Sequence, residues 1–358
     1  MRSLVALTGL VALLSVAGCG RDAPKETAQQ PAAAEPAAGI DAAALQAQAA
    51  AMFKVLPAEM SAEVYPVTEA QITLGRILYY DPRLSRNQDI SCNSCHDLAK
   101  YGVDGAPTSS GDQGQLGGRN SPTTYNAALH IAQFWDGRAA DVEAQAKGPI
   151  LNPVEMAMAD EASVIKALKS IPGYPELFQA AFPDDANPVN YDNVGRAIGA
   201  FERRLVTPAP FDRFLAGDLT ALDAGQLAGF RTFVDSGCAS CHSGAGLGGG
   251  MYQKLGLVKP FETTDTGRAG VTQNETDKFF FKVPSLRNID QTAPYFHDGK
   301  VATLDAAIRL MAEHQLGKNL TDQEVAGITA FLGSLTGTIP ADYIAMPALP
   351  GRSPVSGT

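Results

Sequence analysis

A surplus of basic charge is the first thing this 358-residue sequence lacks. Its 28 Lys and Arg stand against 38 Asp and Glu, a formal net charge of −10. A chain of that sign is repelled by a phosphate backbone, which argues against nucleic acid as a partner and is compatible with a basic protein partner. Long apolar runs are missing too. The stretch Leu4 to Val16, behind Arg2, is too short to cross a bilayer in a mature protein and reads as the apolar region of an export signal. Bulky apolar side chains are almost absent from residues 20–51, which are rich in Ala, Pro, Gln and Glu. Such a segment cannot bury enough surface to offset its ordering entropy. Residues 19–51 are therefore expected to be a flexible tether, helical at most transiently from Asp41 onward. Strand signals are few. Cysteine is down to five residues, histidine to five and tryptophan to one, so the few that occur carry most of the information.

The export region ends in Leu14-Ser15-Val16-Ala17-Gly18-Cys19. Small residues directly before a cysteine resemble a lipobox, so residues 1–18 are expected to be a lipoprotein signal peptide and Cys19 the lipid-attachment residue. The mature chain would be anchored to a membrane through lipid only, in the periplasm. Gly20, where inner-membrane retention is associated with aspartate, favours the outer membrane.

The other four cysteines fall into Cys92-Asn93-Ser94-Cys95-His96 and Cys238-Ala239-Ser240-Cys241-His242. Both are C-x-x-C-H, the attachment pattern of c-type haem, in which the thiols bond the two vinyl groups and the adjacent histidine ligates the iron. A zinc site, a redox dithiol or a pair of disulfides would leave both histidines unexplained. Two covalently bound haem c groups are expected, and no structural disulfide.

Helical signals flank both motifs. Thr68-Glu69-Ala70-Gln71 has the form of a capping box ahead of Ile72, Ile77 and Leu78. Leu227, Phe230 and Phe233/Val234 repeat at helical spacing and stop near Gly237, and Thr321-Asp322-Gln323-Glu324 opens the stripe Val325, Ile328, Phe331 and Leu332. A helix leading into C-x-x-C-H and a closing helix resemble the cytochrome c fold. The chain also echoes itself. Pro122, Asn126 and Phe134-Trp135-Asp136-Gly137-Arg138 recur as Pro284, Asn288 and Phe296-His297-Asp298-Gly299-Lys300, with 13 residues from proline to Trp or His in both copies. Two duplicated, diverged domains follow.

The copies differ in what could face the iron. In the second, Met251 and Met346 are candidates, but Met311 lies between the haem motif and the closing helix, where cytochrome c folds place their axial methionine, and is the expected ligand. Thioether ligation raises the potential, so this haem is expected to receive electrons. Met311 is 14 residues past His297, and 14 past Trp135 stands Pro149, which ligates nothing. Gln145 precedes it and Glu155 follows. A vacant iron face beside a carboxylate is what peroxide activation requires, because a base must take a proton from one peroxide oxygen and return it to the departing one. Met156 and Met158 stay open as alternative ligands.

From about Phe53 to Pro347 the chain resembles the bacterial di-haem cytochrome c peroxidases, through GVDGAPTS, NSPTTYNAALHIAQFWDGR, AQAKGPI, VEM, KSIPGYPELF, PSLRN and YFHDGK in combination. The resemblance implies a mostly α fold of two tandem cytochrome c-like domains, each with one covalently bound haem c. Residues 52–212 would be the N-terminal peroxidatic haem domain and 213–350 the C-terminal electron-transfer haem domain. It implies a peroxidatic haem on His96 with Gln145 and Glu155 as its distal catalytic residues, and Trp135 assisting electron transfer between the haems. His242 and Met311 would hold the second iron, with His297 near its propionates. Asn120, Thr292 and Pro294 would bind an interdomain calcium ion, the last two through backbone carbonyls. The implied substrate is hydrogen peroxide, the implied donor a small c-type cytochrome or cupredoxin, and the implied assembly a homodimer. One departure stands out. Many relatives carry, in the loop after PTS, a histidine that caps the resting peroxidatic haem, and Asp112 occupies that place here. An exposed, hydrated Asp112 is expected to leave the iron on His96 open in the oxidised state, with His130 an ordinary histidine. The rival functions are a di-haem electron carrier without peroxide chemistry and an enzyme that oxidises a protein substrate; relatives of the latter kind carry tyrosine where this chain has Met311.

Overall fold

The computed structural model describes residues 40–60 and 67–351. The signal peptide, Cys19 and the first part of the tether lie outside the described residues. The first half carries α1 (Ala42–Met52), α2 (Glu69–Tyr80), the single turn α3 (Cys92–Cys95), α4 (Val142–Leu151), α5 (Glu161–Ser170), α6 (Tyr174–Ala181) and α7 (Tyr191–Glu202). The second carries α8 (Pro210–Leu215), α9 (Ala224–Ser236), α10 (Ala269–Thr272), α11 (Leu304–Leu316), α12 (Asp322–Gly333) and α13 (Ala341–Ile344). Two three-residue strands, β1 (Tyr252–Lys254) and β2 (Phe280–Lys282), pair antiparallel. The mostly helical fold expected from the sequence is present.

Helix ends follow the local chemistry. Thr68 and Gln71 cap α2 reciprocally, as do Thr321 and Glu324 on α12. α9 opens on Asp223 and Gln226 in the same way and stops at Gly237, whose φ of 97° suits a residue without a side chain. Each such box satisfies two backbone donors that a helix start otherwise leaves unpaired.

Two apolar cores result, and they repeat one design. In the first, α2 crosses α7 and α4 packs on α7, burying Ile72, Leu78, Val194, Ile198 and Phe201. In the second, α9 crosses α12, burying Leu227, Phe230, Phe233, Ile328 and Phe331. Both crossings need a glycine. A Cβ on Gly75 would lie 1.8 Å from the Ala197 carbonyl oxygen, and one on Gly229 would lie 1.8 Å from that of Gly327. The sequence echo is structural as well. Asn126 and Asn288 both adopt positive φ, 60° and 59°, and their amide nitrogens both donate to the Thr207 hydroxyl at 2.9 Å. Thr207 thus joins equivalent points of the two copies. Each copy also holds a buried bidentate ion pair, Arg203 with Glu143 and Arg287 with Asp212.

The chain ends depart from expectation. Residues 42–51, expected as tether, form α1, which is capped by Asp41 and buries Leu45, Ala49 and Phe53 in the second core. A stripe of one leucine, one alanine and one phenylalanine is too thin to stand out in an alanine-rich sequence, but it meets Phe211 and Phe230 edge-on. The expected division at 212/213 shifts accordingly, because Phe211 on α8 belongs to the second core. The C-terminal tail, expected in the second domain, packs on the first core. Tyr343 stacks on Phe201 at 5.1 Å, Leu349 is buried there, and Tyr80 donates to the Ile344 carbonyl at 2.6 Å. The two ends are crossed, each bracing the other half.

Candidate functional site

Two cavities lie beside the two C-x-x-C-H motifs. The first, of about 510 Å³, is lined by Cys92, Cys95 and His96, within the size range of ligand sites (~300–1,000 Å³). α3 presents both thiols within one turn and ends at His96. The Tyr79 hydroxyl donates to the His96 carbonyl at 2.8 Å, and Tyr125 does the same to Leu98, which fixes the chain just past the motif. The second cavity is lined by Cys238, Cys241 and His242. There Gly237 turns the chain out of α9 directly into the motif.

Both sites fit haem c. All four thiols are free, and burial raises the Cys92 and Cys238 thiols, the latter to about 11. The His96 imidazole is buried against the backbone of Gly102 and Pro122 and lines the first cavity. His242 Nδ1 lies 3.2 Å from the Leu247 carbonyl, which makes Nδ1 the donor and leaves Nε2 as the ligating nitrogen. Burial holds both imidazoles below their ordinary pKa, His242 at about 4. They are therefore neutral, as iron ligation demands.

The remaining candidate residues sort between the cavities. Gln145, Pro149 and Glu155 line the first, and Met311 on α11 lines the second. The echo positions Pro149 and Met311 thus face separate cavities; Pro149 itself offers no ligand atom, whereas Met311 offers a thioether. Met346 is 67% exposed, which suits no buried iron. Gln145 projects from α4, whose first turn is capped by Asp141. Glu155 sits in the tight turn after α4, where Asn152 holds both backbone and carboxylate: its side chain accepts from Val154 N, and its amide donates to Glu155 Oε1 at 2.8 Å. Burial raises the Glu155 pKa, opposed by the nearby Arg138 charge and the Asn152 amide. Met156 is buried at the first cavity wall, and Met158 packs at the edge of the first core.

Trp135 lines both cavities. Its Nε1 donates to the Asn120 carbonyl at 2.9 Å, and its ring lies 6.5 Å from that of His297, its counterpart in the other copy. His297 is buried, stacks on Phe281 at 4.5 Å and places Nε2 3.0 Å from the Thr263 hydroxyl. Asn120, Thr292 and Pro294 all reach the second cavity wall. Arg119 spans the two halves, pairing with Asp136 at 2.5 Å and Asp265 at 2.7 Å.

Asp112 is not where an exposed loop would leave it. It is 1% exposed, ion-paired with Arg86 and bonded to Asn87 at 2.9 Å, while its backbone N–H reaches the Glu155 carbonyl at 2.8 Å. The expectation of a hydrated Asp112 is corrected: two donors recruit the carboxylate into the fold. His130 lines the second cavity and meets Lys282 there. Sequence reasoning missed Lys282, the lone charge in Phe279–Pro284, a signal that was available. It also missed Glu202, which lines the first cavity, 3% exposed, with burial and the neighbouring Glu143 charge raising its pKa to about 8. No group of three or more His, Cys, Asp or Glu placed to hold a metal ion, and no helix long and apolar enough to cross a membrane, occurs among the described residues.

Comparison with known proteins agrees with this architecture. Residues 69–220 match the family described as di-haem cytochrome c peroxidase, and residues 227–336 match cytochrome c. The cytochrome c551 peroxidase of Pseudomonas aeruginosa is 46% identical, over 87% of this chain and 92% of its own. The methylamine utilization protein MauG of Methylorubrum extorquens is 37% identical, over 68% of this chain and 69% of its own. A crystal structure of a MauG-like protein associated with microbial copper homeostasis superposes with a TM-score of 0.72 at 29% identity, covering 82% of this chain and 96% of that one. The chain, with its two haem c motifs and duplicated cores, belongs to the di-haem cytochrome c peroxidase family.

Proposed function

We propose that this protein reduces hydrogen peroxide to water, with electrons that a small c-type cytochrome or cupredoxin delivers to the second haem and that pass by way of Trp135 to the first. The observation that carries this reading is the asymmetry of the cavities: Glu155 and Gln145 beside Pro149 in one, Met311 in the other. Haem c, when held by Cys92, Cys95 and His96, would supply redox-active iron. The work of the chain is proton handling. One peroxide, two electrons and two protons give two waters. Glu155, raised by burial, takes the proton of the near peroxide oxygen and returns it to the leaving one. The Gln145 amide donates to peroxide oxygen and orients it. Met311 favours the ferrous state of the second haem, and Trp135, in the wall of both cavities, offers an aromatic bridge.

Asn120, Thr292 and Pro294 all line the second cavity, and a calcium ion on them belongs to the same reading. So do a periplasmic location, lipid anchoring through Cys19 to the outer membrane, and a homodimer. The deciding experiment is peroxide turnover by the two-haem enzyme with a reduced small cytochrome, fully oxidised and half-reduced forms compared. Turnover in both forms is expected, and no turnover in either, with two six-coordinate haems in the spectrum, overturns the reading in favour of an electron carrier.

A further inference from the structure

Lys282 ends β2 within the apolar run Phe279–Pro284 and is only 6% exposed. Its backbone N–H donates to the Trp135 carbonyl at 2.8 Å, so the strand runs beside the Trp135 backbone. Its ammonium has one side-chain partner, His130 Nδ1 at 2.8 Å. No carboxylate among the described residues lies within ion-pair distance of it. Arg119, in the wall of the first cavity, shows the ordinary arrangement, neutralised by Asp136 and Asp265.

The donor inventory sharpens the imbalance. An ammonium only donates, so His130 Nδ1 is the acceptor and the imidazole proton sits on Nε2. That Nε2 is buried and has no partner. The ring packs closely over Gly249, where a Cβ would lie 2.2 Å from its Cδ2. Lys282 and His130 both line the second cavity. They bring to it unused donors and a positive charge, with no acceptor. Leaving such groups unmet is costly, and burial alone already pushes the Lys282 pKa down to about 8. Haem c carries two propionate carboxylates.

We infer that Lys282 and His130 form the anchor for a propionate of the second haem, and that the Lys282 charge holds that haem's potential up. This rests on the two-haem content of the chain, not on the direction of electron flow. A buried positive charge disfavours ferric iron, so removing it lowers the potential.

The test is a spectroelectrochemical titration of the two-haem protein, with resonance Raman of the propionate bending bands. Lys282→Met is expected to weaken reduction of the second haem about tenfold or more, about 59 mV for one electron, and to shift its propionate band. Lys282→Arg keeps the charge and is expected to stay close to the parent. An unchanged second-haem potential in Lys282→Met, an equal fall in Lys282→Arg, or a shift confined to the first haem overturns the inference. If Lys282→Met does not accumulate, His130→Phe decides: a perturbed propionate band supports the anchor, and an unaltered band rejects it. Turnover is not read, so failure of the peroxidase reading leaves this test intact.

Discussion

Glu155 owes its proton affinity to burial, and Asn152 and Arg138 keep the shift in bounds. A base with a raised pKa loses its working form at higher pH than an ordinary carboxylate (~4.3) does. The acid limb of kcat/KM is therefore expected above that value, and a limb centred at or below it would contradict the role. Glu155→Gln is expected to keep both haems and lose about 10²–10⁴-fold in peroxide turnover across the pH range, the acid limb vanishing with it. Met311 is tested differently. Met311→His should lower the second haem's potential, since imidazole stabilises ferrous iron less than thioether does; an unchanged redox titration would remove Met311 from the iron. The haem-attaching residues were legible because the chemistry compresses them into five consecutive positions. Glu155 and Met311 were reached by counting along the echo and by resemblance. Lys282 and His130 take their meaning from what they lack in three dimensions, and no spacing rule reports a missing partner; Glu202 takes its meaning from burial beside Glu143, far off in the sequence.

Among the elements, the loop around Asp112 is anchored from behind. Arg86, Asn87 and the backbone of Val154 and Glu155 hold it against the turn that carries the proposed base. Gly111 and Ser109, not the Asp112 carboxylate, face the first cavity. A loop held from behind has no ligand to release, so the oxidised protein is expected to show a high-spin or water-bound ferric haem on His96 by electron paramagnetic resonance. Two low-spin ferric haems would refute this. Asp112→Ala leaves Arg86, half exposed, free to rehydrate, so the cost comes from the lost bonds, about 1–3 kcal/mol in a denaturant titration of the two-haem protein. The capped helices α2, α9 and α12 were legible from four-residue boxes and periodic stripes, which are local facts. The burial of Asp112 and the docking of α1 were not, because both depend on partners far along the chain: Phe211 and Phe230 for α1, the turn at Val154 for Asp112.

For the whole molecule, the duplication was visible as two aligned strings, and its meeting point on Thr207 was not, since Thr207 lies in neither string. The crossed ends have a consequence in time. A chain emerges N-terminus first, so α1 appears long before the core that receives it, and α13 appears last. Until Tyr343 and Ile344 arrive, Phe201 and Tyr80 lack their cover, and the earlier half cannot be sealed by its own residues. Completion of the earlier core therefore depends on the last helix of the chain's later half.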